Sequence, residues 1–129
     1  MATFKNICIV DDDDMFIRVS KFIMKDENFA ENIYHYYDGR EAIEHLIATQ
    51  PSELPEILLV DINMPMMDGW EFMDELEKIR KDDKMKIYIT SSSIDPADLK
   101  KAEGNPFVSG FISKPIEPEA LKKIIDGYK

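Results

Sequence analysis

Carboxylates, hydroxyls and one lysine follow short apolar segments of this chain at several places. Four aspartates, Asp11–Asp14, follow the apolar run 7–10, and Asp61 follows the run 57–60. The hydroxyl residues 90–93 follow the segment 86–89, and Lys114 stands two residues beyond Ile112. A carboxylate flanked by a divalent cation, a lysine and a hydroxyl can attack a phosphoryl group as a covalent nucleophile, because these partners offset the charge on the phosphoryl oxygens.

The acidic run after the first apolar segment has two interpretations. Consecutive acids before a helix can cap its first turn and favour its positive end, and we expect Asp13 and Asp14 to do so. Alternatively, the apolar runs 7–10 and 57–60 are neighbouring strands of a parallel sheet. Asp11 and Asp12 then lie at the carboxyl end of the first strand, close to Asp61 at the carboxyl end of the third strand. Three converging carboxylates repel one another unless a cation neutralises them, and oxygen ligands of this kind suit Mg²⁺.

Lys114 and the hydroxyl residues also have ordinary interpretations. A loop lysine is usually solvated, and a serine-rich loop is usually a turn. Pro115 follows the lysine directly, however, and a cis peptide bond between the two would turn the chain sharply and direct the lysine inward. Hydroxyls that follow a strand can orient an anion, so both sets of residues are candidates for one site.

Two kinds of segment alternate along the chain and would position these residues. Five short segments rich in β-branched and aromatic residues predict strands at 6–10, 33–37, 57–60, 86–90 and 108–112. Five longer segments with apolar residues three and four apart predict helices at 15–25, 39–49, 70–80, 96–103 and 119–128. This alternation predicts an α/β fold with helices on both faces of a five-stranded parallel sheet. We expect the doubly wound, flavodoxin-like (βα)5 arrangement with strand order 2-1-3-4-5 and a functional edge at the carboxyl ends of the strands.

Local patterns refine the helix assignments. Asp95 followed by Pro96 predicts the start of the fourth helix, Gly104 its end, and Pro118 the start of the fifth. The apolar face predicted for the first helix consists of Met15, Phe16, Val19, Phe22 and Ile23.

Length, charge and composition exclude several classes of protein. The chain has 129 residues, the size of one domain, and a formal net charge of −10 from 16 basic and 26 acidic residues. So acidic a chain lacks the positive surface that binds nucleic acid or anionic lipid. One cysteine excludes an intrachain disulfide, and apolar runs of four residues are too short for a membrane span or a signal peptide. We expect one cytoplasmic domain over residues 1–129, without an output domain.

Three sequence motifs together resemble the receiver domain of two-component response regulators, of the single-domain type related to the chemotaxis regulator. They are Ile9-Val10-Asp11-Asp12, the segment Leu59–Gly69 that reads LVDINMPMMDG, and Gly110–Pro115 that reads GFISKP. Each motif alone is weak, whereas their order and spacing at the strand ends are specific. The resemblance covers nearly the whole chain.

The resemblance implies a role for each matching residue. Asp61 would be the phospho-accepting aspartate, and Asp11, Asp12, Asp61 and the backbone carbonyl of Asn63 would hold Mg²⁺. Lys114 would pair with the phosphoryl group. Phe111 matches the position of the switch aromatic, which is often Tyr in this family and packs inward when the switch hydroxyl moves.

The identity of the switch hydroxyl is open between two neighbouring residues. Thr90 directly follows Ile89, whereas Ser91 fits better the family's spacing to Asp61, 30 residues earlier, and to Lys114, 23 residues later. We favour Ser91, with Ser92 supplying a backbone amide to the phosphoryl group. In the family, the positions of Asn63 and Ser93 influence the lifetime of the phosphorylated state.

The resemblance implies a signalling switch rather than an enzyme, apart from self-catalysed phosphorylation and dephosphorylation. A histidine kinase or a histidine phosphotransfer protein would supply the phosphoryl group, and a protein partner would receive the signal from a monomer or weak dimer. A haloacid-dehalogenase-type phosphatase is an alternative, but its motif requires Thr or Val at the position of Met15. A flavin carrier of the same fold would need a phosphate-binding loop where this chain has four carboxylates, and a receiver that is never phosphorylated would not need the complete acceptor set.

Overall fold

A computed structural model of the chain describes residues 2–79, 85–92 and 95–128. Its strands are β1 (Phe4–Val10), β2 (Ala30–Tyr36), β3 (Ile57–Asp61), β4 (Lys86–Ser91) and β5 (Val108–Ser113). Its α-helices are α1 (Asp14–Asp26), α2 (Gly39–Ala48), α3 (Gly69–Ile79), α4 (Pro96–Glu103) and α5 (Pro118–Tyr128). A short 3₁₀ turn at Pro51–Glu53 precedes β3.

The five strands form one sheet in the order β2-β1-β3-β4-β5, and all neighbouring strands are parallel. The flavodoxin-like fold predicted from the alternating segments is therefore confirmed. In this order β1 and β3 are neighbours in the middle of the sheet, with β4 next to β3. Their carboxyl ends, which carry the acidic and hydroxyl residues, consequently lie side by side at one edge.

Residues that alternate along the central strands divide between two apolar cores. Ile9, Leu59 and Tyr88 belong to the first core, which they share with α1 and α5. Val60 and Ile89 belong to the second core, which they share with α2 and α3. Because successive side chains of a strand point to opposite faces, this division shows the face of the sheet on which any strand residue lies.

Apart from shifts of one or two residues at the ends of elements, two sequence predictions differ from the structure. β2 begins at Ala30, three residues earlier than predicted, because the polar residues Glu31 and Asn32 hide the strand in the apolar pattern although its backbone pairs with β1 from Ala30 onward. The predicted apolar face of α1 is also partly wrong: Met15, Val19 and Phe22 are exposed by 68%, 41% and 74%. The buried side of the helix consists instead of Phe16, Ile17, Ser20 and Met24.

The predicted helix boundaries agree well with the structure. The Asp95 carboxylate accepts a hydrogen bond from the amide of Ala97 at the start of α4, and Gly104 follows the last residue of that helix. Asp13 caps α1 by accepting a hydrogen bond of 3.2 Å from the amide of Phe16. Arg80, the predicted last residue of the third helix, lies outside the described residues. Within the described ranges, the helices are too short or too polar to cross a membrane.

Candidate functional site

Three carboxylates converge at the carboxyl edge of the sheet. Asp11 directly follows β1 and is fully buried, and Asp61, the last residue of β3, is 4% exposed. Asp12 is exposed beside them. One carboxylate oxygen from each of the three lies within 4.8 Å of the other two. The convergence predicted for these three residues is therefore present.

Lys114 faces two of these carboxylates. Its Nζ atom lies 2.7 Å from Oδ2 of Asp11 and 3.4 Å from Oδ1 of Asp61, and its side chain is only 12% exposed. The ammonium also lies 4.4 Å from the centre of the Phe16 ring, a favourable contact between a cation and an aromatic face. The Lys114-Pro115 peptide bond is cis, as the sequence suggested. The ammonium of Lys114 is thus held by one aromatic ring and two carboxylates.

The position of Lys114 depends on the pairing of β4 with β5. The backbone amide of Lys114 donates a hydrogen bond of 2.8 Å to the carbonyl oxygen of Ser91, directly beyond the last strand pair. The lysine backbone is thus tied to the end of β4, while its side chain reaches across β4 and β3 toward β1.

Burial and crowding disfavour the ionised forms of the two buried acids. Loss of solvent, followed by the charge of Asp11, raises the pKa of Asp61 from 3.8 to about 6, although Lys114 and the amide of Asn63 oppose this. Loss of solvent also raises the pKa of Asp11, against the favourable hydrogen bond from Lys114. One lysine therefore does not balance the carboxylates, and the cluster favours an added cation.

The loop after β3 holds the Asp61 carboxylate from the other side. The backbone amide of Asn63 lies 3.4 Å from Oδ1 of Asp61 and donates to it. The loop returns so closely that a Cβ atom on Gly69 would stand 2.7 Å from the carbonyl oxygen of Asp61. Only glycine fits this approach, so the motif glycine keeps the start of α3 against the end of β3.

The hydroxyls at the end of β4 lie on opposite faces of the sheet. Thr90 follows Tyr88 by two residues and pairs with Asp61 of β3, which places it on the face of the first core. Ser91 follows Ile89 by two residues and lies on the face of the second core. Both are 1% exposed, whereas Ser92 beyond the strand is exposed.

Phe111 lies on the same face of the sheet as Ser91. It pairs with Ile89 of β4 and packs, partly buried, against the second core. Ser91 is thus the diagonal neighbour of Phe111 on the adjacent strand.

The structure brings together most, though not all, of the candidate residues. Asp14 is turned away from the cluster, because its carboxylate accepts a hydrogen bond of 2.8 Å from Tyr37 and pairs with Arg18 at 2.7 Å. Ser93 lies outside the described residues. The contact of Phe16 with Lys114 could not be predicted, since nothing in the sequence pairs two residues so far apart.

A sequence model of the response regulator receiver domain matches residues 7–126 of this chain. Among solved structures, a two-component response regulator from Cytophaga hutchinsonii is 30% identical and superposes with a TM-score of 0.88, covering 96% of each chain. The chemotaxis protein CheY4 of Vibrio cholerae is 20% identical and shares the fold with a TM-score of 0.71, covering 98% of this chain and 99% of its own. Among protein sequences, the probable methanogenesis regulatory protein FilR2 of Methanothrix harundinacea is 23% identical over 125 residues, which are 95% of this chain and 80% of that protein.

Proposed function

This chain belongs to the response regulator receiver family and is a phosphorylatable switch of a two-component system, and from this premise we propose that Asp61 accepts the phosphoryl group. The observation that carries the proposal is the position of the Asp61 carboxylate. It is buried at the end of the central strand β3, with Lys114 on one side and two further carboxylates beside it. Among the described residues these groups meet the needs of an acyl phosphate acceptor.

In the proposed reaction, a carboxylate oxygen of Asp61 attacks the phosphorus atom of a phosphohistidine or of a small phosphodonor. The new bond is the acyl phosphate bond, and the bond from phosphorus to the leaving nitrogen or oxygen breaks, with its electron pair passing to the leaving group. Only the ionised carboxylate is a nucleophile, and its pKa of about 6 leaves it ionised at neutral pH. Lys114 lies where it can pair with the phosphoryl oxygens as their charge moves toward Asp61.

Receiver domains bind Mg²⁺ at an acidic pocket, and the aspartate cluster of this structure fits such an ion. The donors are all oxygen atoms, as Mg²⁺ prefers, and one lysine leaves the cluster short of positive charge. We assign the ligands to the carboxylates of Asp11, Asp12 and Asp61 and the backbone carbonyl of Asn63. When bound, the ion would neutralise charge on the phosphoryl group and on the acids around it.

The proposed switch consists of Ser91, Ser92 and Phe111. Phosphorylated Asp61 would draw the Ser91 hydroxyl toward the phosphoryl oxygens, and the exposed amide of Ser92 would complete the clamp. A charge-assisted hydrogen bond is worth roughly 1.5–3 kcal/mol, enough to shift a two-state equilibrium by about ten- to a hundred-fold. The neighbouring Phe111 ring would then fill the space that Ser91 leaves, which changes the surface formed by α4, β5 and α5. The shared sheet face of Ser91 and Phe111 supports this coupling.

A receiver domain implies interaction with a histidine kinase or a histidine phosphotransfer protein. We propose that one of these supplies the phosphoryl group and that the changed surface binds a downstream protein. In this scheme the chain acts as a signalling module, and its own chemistry is limited to phosphorylation and dephosphorylation of Asp61.

The test is incubation with Mg²⁺ and acetyl phosphate, followed by measurement of protein-bound phosphoryl groups. We expect stoichiometric labelling that hydroxylamine removes, and no labelling of Asp61→Asn. Asp14→Asn is a matched control, because it removes a neighbouring acid whose contacts lie outside the cluster, and it should label like the wild type. Steady release of phosphate from phosphomonoesters without a labelled protein would instead support the phosphatase alternative and contradict the proposal.

A further inference from the structure

We propose that Thr90 is a further residue of the acceptor site, whose hydroxyl donates a hydrogen bond to the phosphoryl group on Asp61 and thereby stabilises the phosphorylated state. The inference rests on the proposed function, since it needs the phosphoryl group on Asp61. It assigns to Thr90 a role separate from that of the switch hydroxyl Ser91.

The first observation is that the Thr90 hydroxyl is buried without a partner. The residue is 1% exposed, and its Oγ1 atom makes no hydrogen bond within the described parts of the chain. A buried hydroxyl without a partner is costly, and such groups are uncommon in folded proteins. A valine would fill the same space without this cost, so the hydroxyl calls for an explanation in another state of the protein.

The second observation is the position of Thr90 beside the acceptor. Thr90 pairs in register with Asp61 on the neighbouring parallel strand, and the paired side chains lie on the same face of the sheet. On its other side Thr90 pairs with Ile112, which is apolar and belongs to the first core. Of the two residues that pair with Thr90 in the sheet, Asp61 is therefore the polar one. Strands lie about 4.8 Å apart, so rotation of the threonine side chain brings its hydroxyl within reach of a group built on Asp61.

The third observation concerns the acceptors that phosphorylation adds. In the unphosphorylated protein, Oδ1 of Asp61 already faces the Lys114 ammonium and the Asn63 amide. The phosphoryl group brings three further oxygen atoms, each a strong hydrogen-bond acceptor. Lys114 already faces Asp61, and in the proposed switch Ser91 and the Ser92 amide would reach the new oxygen atoms from the end of β4. Thr90 is the hydroxyl on the first-core face, where Asp61 itself lies.

A bond made in only one of two states shifts the equilibrium toward that state. Removing the Thr90 hydroxyl should therefore relieve the unphosphorylated protein of an unpaired polar group and deprive the phosphorylated protein of a hydrogen bond. The two effects have opposite signs, so they can be distinguished from a general effect on packing.

The experiment compares the wild type with Thr90→Val, which keeps the shape and removes the hydroxyl, and Thr90→Ser, which keeps the hydroxyl. The probe is beryllofluoride in saturating Mg²⁺, a stable mimic of the phosphoryl group, and its dissociation constant is measured alongside the melting temperature without the probe. We expect Thr90→Val to melt higher than the wild type but to bind beryllofluoride about five- to ten-fold more weakly. Thr90→Ser should bind within about two-fold of the wild type.

Equal beryllofluoride affinity of Thr90→Val and the wild type would overturn the role of Thr90 and leave the proposed function standing. The same holds if Thr90→Ser binds as weakly as Thr90→Val, because the loss would then follow from packing rather than from the hydroxyl. If the wild type itself does not bind beryllofluoride, or if Asp61→Asn binds it equally well, the acceptor assignment fails and the inference about Thr90 fails with it.

Discussion

Replacing Asp61 with Asn should stabilise the unphosphorylated protein in the absence of divalent cations. The pKa of the buried carboxyl is raised from 3.8 to about 6, mainly by loss of solvent and then by the charge of Asp11. Each pKa unit corresponds to 1.36 kcal/mol, so the ionised carboxylate costs the folded state about 3 kcal/mol. The amide removes this cost because it carries no charge, and it keeps nearly the same shape.

The sign of the pH dependence follows from the raised pKa. Between pH 3.8 and about 6, folded Asp61 keeps a proton that the unfolded chain releases, so the stability of the wild type falls as the pH rises through this window. The cost is complete above pH 6 and absent below pH 4. We therefore expect Asp61→Asn to gain about 3 kcal/mol at pH 8 and almost nothing at pH 4.

Thermal unfolding in EDTA at the two pH values measures this difference. For a chain of this length, about 3 kcal/mol corresponds to a rise of about 10 °C in melting temperature. Asp12→Asn is the matched control, because it removes the same formal charge from an exposed member of the cluster and should shift the melting temperature much less. An equal melting temperature of Asp61→Asn and the wild type at pH 8, or a gain of the same size at pH 4, would refute the argument from burial.

Three further changes test other parts of the account. Mg²⁺ should stabilise the folded wild type by about 2.7 kcal/mol at a concentration a hundred times its dissociation constant, and the melting temperature should rise accordingly. In the same titration Asp12→Ala should lose most of this gain. Ser91→Ala should accept the phosphoryl group more slowly, and its phosphorylation should change partner affinity little in a binding assay. Thr90→Ala should keep more of the change in partner affinity than Ser91→Ala does. The reverse ranking would identify Thr90 as the switch hydroxyl. Trp70→Phe removes the hydrogen bond of 3.2 Å from the indole to the Asp98 carboxylate, which links α3 to α4, and should cost about 0.5–1.5 kcal/mol in urea unfolding; an unchanged midpoint would show that this link does not stabilise the fold.

The fold and the main members of the site could be predicted because each depends on local sequence patterns. Alternating strand and helix segments determine the class of sheet, and the rule on strand ends then places Asp11, Asp61 and Lys114 at one edge. No knowledge of side-chain packing is needed for these steps. The prediction of the α4 cap at Asp95 likewise depends on neighbouring residues alone.

The features that the sequence analysis missed depend on contacts between distant segments. The buried side of α1 was misjudged because Met15 and Phe22 fit a helical apolar spacing, although the sheet contacts Ile17 and Met24 instead. The cation–aromatic contact of Lys114 joins α1 to the end of β5 and leaves no mark in the spacing of residues.

The face on which a strand residue lies was also beyond reach of the sequence alone. It depends on the register of the strand with its neighbours, and one residue of slippage exchanges the two faces. For this reason the sequence could not show on which faces Thr90 and Ser91 lie, whereas the pairing of Thr90 with Asp61 places the two hydroxyl residues on opposite faces.

The most direct test of the central claim is to locate the phosphoryl group on the intact protein. After incubation with Mg²⁺ and acetyl phosphate, borohydride reduces an acyl phosphate on an aspartate to homoserine, and mass spectrometry of the peptides identifies the modified residue. We expect homoserine at position 61, dependent on the phosphodonor and absent when Mg²⁺ is chelated. Modification at another aspartate, or none in a protein that is folded and binds Mg²⁺, would contradict the assignment of Asp61 as the acceptor.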